Sequence, residues 1–498
     1  MKETTDMKKY RFLHLLLAVG LVLGSAACDE DTLDEVDTNP NSPEDVSVSL
    51  LMPQVTMAVP TAVTGVDLAW YSSVLVQHTT GVHGQMQDAD RRSGLEDATL
   101  LNNIWNTIYF VVLPDLDAII RKGSEGGDEA GNWTHVGIAK VLKAYTLSTA
   151  TDAWGPVPAS EAGQGIENRR PAFDAQQEVY NQIHALLDEA IADLAKPAAT
   201  NPGGQDFIYG GNAELWTKAA YSLKARYWMR LSNVNTAAAQ NALDAAENGF
   251  ESAADNFTFN QYVASAIGEH PWWQEANDRS HHAVSESFVE TLQTLNDPRL
   301  EAMVAIVPDS GRIVGAPSGT QTNDQANVSF SDVTNPNNTA TGPYVLSPTS
   351  PMPMMTYDEL QFIRAEAHLR LGNTAEAFEA YQEGIRAAMM RQINPSDEAI
   401  EDYLSNPALP QTATALSLEN IIRQKWIAFF YFQPFEAYND WRRTGIPEFV
   451  DEHPISPPPV RFPYPQAEID ANEANVPDIR GIEIFTNPIW WMDGEEEV

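Results

Sequence analysis

Apolar residues recur at spacings of three and four through most of this chain, and alternation of period two is scarce. That spacing places them on one face of an α-helix, and a half-buried strand would need the other period. In 176–195 the stripe is Val179, Ile183, Leu187, Ile191 and Leu194. Segments 100–121, 135–150, 213–231, 356–371, 375–390 and 418–432 repeat the pattern, so the chain is expected to be mostly α. Between them lie long polar stretches rich in Gly, Pro, Asn and Trp: 78–97, 151–172, 251–285, 306–352 and 449–480. Loops of that length are uncommon in packed domains and carry function when they occur.

One pair of helices is legible in detail. Tyr357 to Leu371 forms the first, Gly372 can take the left-handed conformation that stops it, and Asn373 with Glu376 can cap the second. Ala377, Tyr381, Ile385 and Ala388 then face back onto the first helix. The pair is similar to half of a tetratricopeptide repeat, without a strict 34-residue period across the chain. The expected architecture is a tetratricopeptide-like helical-hairpin superhelix with a loop-rich, irregular, ligand-binding part. Its loop insertions are expected near 251–352.

The amino-terminus carries a second signal. Lys8, Lys9 and Arg11 precede an apolar run, Phe12 to Leu23, and then Gly24, Ser25, Ala26, Ala27 and Cys28. A run of about a dozen residues is shorter than the roughly 20 a helix needs to span a bilayer. The layout is that of a signal peptide, residues 1–27, whose removal leaves Cys28 as the new amino-terminus for lipid attachment. Ser25 stands where lipoprotein cleavage sites usually have Leu. Cys28 is the only cysteine, so no intramolecular disulfide forms. Residues 28–45, acidic and then Asn39-Pro40-Asn41-Ser42-Pro43, read as a tether, and 46–498 as the folded body. No later run is expected to reach membrane-spanning length.

Charge removes one class of function. The chain has 69 acidic and 30 basic residues, a net charge of −39. Such a surface repels nucleic-acid phosphates, and no basic cluster offsets it. Nucleic-acid binding is excluded. The 43% of hydrophobic residues still suits a folded protein.

Several ordered motifs carry a resemblance. Helix 135–150 runs into Asp152-Ala153-Trp154-Gly155-Pro156-Val157-Pro158 and Ser160-Glu161-Ala162. Further on come Trp216 with Leu223-Lys224-Ala225-Arg226, and then Asp297-Pro298-Arg299-Leu300. Tyr357-x-Glu359-x-x-Phe362-Ile363-x-Ala365-Glu366-Ala367 and Gln424-Lys425-Trp426 follow. The last pieces are Glu436-Ala437-Tyr438-x-Asp440-x-Arg442-Arg443-Thr444-Gly445 and Pro459-x-Arg461-x-x-Tyr464-Pro465-x-x-Glu468-x-x-x-Asn472. In that order, behind a lipoprotein-type leader, the chain resembles the SusD/RagB family of outer-membrane nutrient-binding lipoproteins. Pro156 and Ala159 depart from the acidic and aromatic residues frequent there. The resemblance implies a lipid-anchored protein on the outer face of the outer membrane. It implies capture of oligosaccharide, or for some members peptide, for a partner SusC-like TonB-dependent transporter. The acidic run after Cys28 also looks like a surface-sorting signal.

No catalytic constellation stands out, and no cofactor is expected. G-x-S-x-G, H-E-x-x-H and phosphate-cradling glycine loops are absent from the sequence. Because a glycosidase pair is defined by separation in space, a lipoprotein glycoside hydrolase on a helical scaffold stays open as the alternative. His281-His282 and the His78/His83 pair lack a third ligand at fixed spacing. Aromatic faces stack on sugar rings while amides take the hydroxyls. The candidates are Trp70, Tyr71, Gln77, Gln85 and Trp105 in the first loop region, and Trp272, Trp273 and Gln274 in the second. Trp105 also fits a core stripe with Ile108 and Tyr109. In an extended segment Trp272 and Trp273 would face opposite sides, leaving one as an exposed platform. Arg442 and Arg443 read as partners of Glu436 and Asp440 inside the fold.

Overall fold

The computed structural model describes residues 46–164, 168–265, 267–307, 310–321, 330–331, 346–449 and 457–495. Val48–Val498 forms one compact unit. The leader, Cys28 and nearly all of the tether therefore lie outside the described residues.

The body opens with α1 (Val48–Ala58), a π-helical turn (Val59–Thr64) and α2 (Asp67–Leu75). By length and composition Val48–Leu75 could cross a membrane, contrary to the expectation that no such run follows the leader; half of its most apolar window is buried inside the fold. Val48, Met52, Val55, Val59 and Val63 are all core residues. Then follow β1 (Thr79–Gly81), α3 (Gly84–Asp90) and α4 (Leu113–Gly123).

Three hairpins form the scaffold. The first is α5 (Trp133–Trp154) with α6 (Gln176–Leu194), and the second is α7 (Ala213–Arg230) with α8 (Ala238–Ala246). After β2 (Phe257–Phe259), α9 (Pro271–Asp278), β3 (His282–Val284), α10 (Glu286–Thr294) and β4 (Met352–Met355) comes the third. It pairs α11 (Tyr357–Arg370) with α12 (Thr374–Gln392), and α13 (Leu418–Ala428) and α14 (Pro434–Thr444) follow. Within each hairpin the helices pack together, α7 also meets α6 and α8 meets α11, so the pairs stack side by side. Apolar residues surround α5 on nearly every side, and almost all of it is buried. It is the hub.

Local chemistry sets the ends. Gly372 takes φ +81 and stops α11, as its sequence suggests. Asn373 holds the cap position but makes no side-chain cap bond, so the expected capping box does not form. Its amide points back to His368 instead, at 3.5 Å. The helix expected over 418–432 ends at Ala428, because Tyr431 turns to φ 69 and Pro434 starts a new helix. Segments 78–97 and 251–285 are not structureless. They hold β1, α3, β2, α9 and β3, and β1 pairs antiparallel with β3, Thr79 opposite Val284 and Gly81 opposite His282.

A buried ionic lattice joins the hairpins at their centre. Arg226 donates to both carboxylate oxygens of Glu359 at 2.6 and 2.5 Å and lies 3.6 Å from Glu436. Arg230 bridges Glu436 and Asp152, and Asp152 also accepts from Tyr180 and Trp491 at 2.5 and 2.9 Å. Arg443 holds Glu366 and Asp440 at 2.8 Å each, and Lys425 meets Asp440 at 2.8 Å. Burial alone would raise these carboxyls, yet the facing cations hold Glu366, Glu436 and Asp440 below the ordinary range. For Asp152 burial wins and its carboxyl is raised. Arg442 departs from the expected pairing: it donates to the carbonyls of Asp152 (2.6 Å) and Val460 (3.0 Å) and to Asn439.

Candidate functional site

The irregular part is built where α2, β1 and α3 meet α9, β3 and α10. Gly65, just before α2, lies against Pro271 at the start of α9. Arg279, at the end of α9, acts electrostatically on Asp67 and Tyr71 of α2. A second layer locks β1 in place. Thr80 Oγ1 donates to the Ala316 carbonyl at 2.7 Å, and the Gly319 N–H donates to Asp90 at 2.6 Å. Val82, Ala283 and Ala316 form a small core of their own beneath this layer.

Seven of the eight candidate residues gather here, and they divide by exposure. Trp272 is fully buried, its ring 5.1 Å from His282 and 6.3 Å from Tyr431. Tyr71 is buried, and so is Gln77, which takes φ 51 and accepts from Ser287. Trp70, Trp273 and Gln274 are half-buried and Gln85 is exposed. The two tryptophans do split between interior and surface, but as neighbours on a helix about 100° apart, not as alternate residues of a strand. Trp105 lies elsewhere. It is buried among Tyr109, Trp154 and Phe173, and its indole N–H reaches Glu468 at 3.3 Å. Trp70, Gln85, Trp273 and Gln274 are at least partly open to solvent; Tyr71, Gln77, Trp105 and Trp272 face inward and serve the framework.

Electrostatics around the site are set by burial. Burial raises the Asp67 carboxyl to about 6, against its own backbone hydrogen bond and Arg279, and raises Asp90 to about 7. His270 is buried and burial lowers it to about 3. Its Nδ1 accepts the Trp272 N–H at 3.2 Å and so caps α9, a role only the neutral ring can fill. The folded value lies below the unfolded one, so this contribution is present above pH 6.5 and fades as pH falls toward 3. At pH 5 the neutral ring costs about 2 kcal/mol. His270→Asn keeps a cap that does not titrate. Whatever that variant costs at pH 8, it is expected to cost about 2 kcal/mol less at pH 5 in urea unfolding. Parallel profiles for the two proteins would refute this account of His270.

The described histidines are spread over other contacts. The His83 and His281 rings lie 5.3 Å apart, and His78 Nε2 meets the Trp426 carbonyl at 2.8 Å. Among the described residues no group of three or more His, Cys, Asp or Glu is placed to hold a metal ion.

Residues 40–465 match the SusD-like family described as starch-binding and associating with the outer membrane. The chain belongs to the SusD-like family. A SusD/RagB family protein of Bacteroides thetaiotaomicron is 28% identical, with a TM-score of 0.77 over 91% of this chain and 100% of the other. A SusD homolog from Bacteroides uniformis shares the fold at 23% identity, TM-score 0.72, over 90% of this chain and 100% of that one. A chitin-binding SusD homolog from Flavobacterium johnsoniae does so at 22% identity, TM-score 0.69, over 89% and 96%. No curated protein matches.

The SusD-like motifs turn out to be the lattice and its braces. Asp152, Arg226, Glu359, Glu366, Glu436, Asp440 and Arg443 all belong to the buried network. Gly155 takes φ +84, and Arg461 packs where a side chain would go. Arg299 clasps Asp297 at 2.6 and 2.9 Å. Arg279, at the end of α9, belongs to no motif that announces its electrostatic effect on Asp67 and Tyr71. Only its position directly after the tryptophan-bearing segment could have marked it.

Proposed function

We propose that this SusD-like chain captures oligosaccharide at the outer face of the outer membrane and does no chemistry on it. In this reading acylated Cys28 anchors it, and a SusC-like TonB-dependent transporter receives the ligand. The observation that carries it is the split on α9. Trp272 is locked in the core while Trp273, next along the helix, is half-buried at the surface beside Gln274. A half-exposed ring on a helix anchored by its buried neighbour can stack against the apolar face of a sugar. The family's description as starch-binding, and the chitin-binding homolog of the same fold, point to glycan rather than peptide.

Titration calorimetry with starch- and chitin-derived oligosaccharides tests it. Trp273→Ala is expected to cost about 1–3 kcal/mol of binding with thermal stability unchanged. Unchanged affinity in that variant would remove Trp273 from the site. Steady release of reducing ends in the same samples would favour the hydrolase. Mass spectrometry of the membrane-extracted protein, showing diacylglycerol on Cys28, tests the anchor.

A further inference from the structure

A cavity of about 270 Å³ opens between α10, α13 and residues 447–449, apart from the surface of α9. One wall is aromatic. Phe449 is half-buried and offers its ring, and behind it at 6.3 Å lies Trp426, buried and fixed by its N–H bond to the Val76 carbonyl at 3.0 Å. The other walls are polar and carry Ser287, Arg423, Glu290 and Glu448. Arg423 is already paired, with Glu419 on its own helix. Among the described residues neither Glu290 nor Glu448 has an ion pair or hydrogen bond, so the cavity keeps two uncompensated negative charges.

Carboxylates beside an aromatic wall favour a cation. Partial exclusion of water strengthens the charge attraction, and the Phe449 ring adds a cation–π contribution. The volume suits one sugar ring and not a longer segment. We propose that this cavity is a second binding site, for a protonated amino sugar such as a glucosamine unit of a partly deacetylated glycan. The ammonium would sit between Glu290 and Glu448, and the ring against Phe449. The sugar part rests on the glycan-capture reading; the preference for an amine does not.

The test uses the whole processed chain and three probes: a glucosamine oligomer, its N-acetylated counterpart and a neutral gluco-oligosaccharide. Expected is tighter binding of the glucosamine oligomer, weakened by salt. Its advantage over the other two probes should fall about tenfold or more in Glu290→Gln and Glu448→Gln and persist in Trp273→Ala. Both glutamates lie at the surface, so the glutamine variants are expected to melt with the parent. Equal affinity for the N-acetylated oligomer, or indifference to both glutamine variants, would overturn the proposal. So would equal binding of trilysine, which would make the cavity an amine site and not a sugar site. If neutral glycan binds through Trp273 while the amine gives no advantage, only the cavity proposal fails. If glucosamine binds through Glu290 and Glu448 while no neutral glycan binds at all, the cavity proposal stands and the Trp273 reading fails.

Discussion

Arg230→Ala is expected to cost about 3–5 kcal/mol of stability, because it strands the Asp152 carboxylate inside the fold and leaves Glu436 half-compensated. Arg230 is 3% exposed and bridges Asp152, at the end of α5, to Glu436 on α14. Nothing else described reaches both acids: Arg226 touches Glu436 at 3.6 Å, and Asp152 retains only neutral donors such as Tyr180 and Trp491. Water cannot replace the guanidinium at such depth, so the unpaired charges must be desolvated or protonated. The comparison is Arg386→Ala. Arg386 pairs with Glu401, but both side chains are largely solvated, at 36% and 58% exposure. An exposed pair contributes about 0–1 kcal/mol. Urea unfolding of both variants should therefore separate them by several kcal/mol. Equal losses would mean that the lattice does not hold the hairpins together.

Gly81→Ala should act on the other half of the molecule. A Cβ at Gly81 would stand 1.8 Å from the Met86 carbonyl oxygen and 2.2 Å from its carbon. Both are backbone, so no rotamer change relieves the clash. Either β1 leaves its pairing with β3, where Gly81 faces His282, or α3 moves with Gln85 on it. The local cost should exceed the roughly 1–3 kcal/mol of ordinary overpacking. Glycan affinity should fall about tenfold or more, as when an anchor is lost. The hairpins share no element with this clash, so the far-ultraviolet circular dichroism should keep its helical strength. Wild-type affinity in a folded Gly81→Ala protein would place the ligand elsewhere.

How much of this could be read from sequence follows from which forces are local. The stripe Val179, Ile183, Leu187 and Leu194 announces α6, because helix period and burial coincide there. Gly372 announces a stop, because a positive φ suits glycine. The end of α13 falls four residues short of the apolar pattern: Phe429 to Phe432 continue it, while the backbone turns at Tyr431. The lattice was half legible. Arg443 with Asp440 is a pair along one helix, whereas Arg230 with Asp152 joins residues 78 apart in sequence. At the candidate site, residue chemistry names the segments but cannot give the facing. Trp272 and Trp273 look alike in sequence, and only packing against His282 and Tyr431 decides which one is buried.

Hydrogen exchange with and without a bound oligosaccharide addresses the whole division of labour between scaffold and grip. Added protection is expected in 67–91 and 271–287, which carry Trp70, Gln85, Trp273 and Gln274, with none gained by α5, α6 or α12. Protection gained in those hairpins instead, with the two loop regions unchanged, would contradict it.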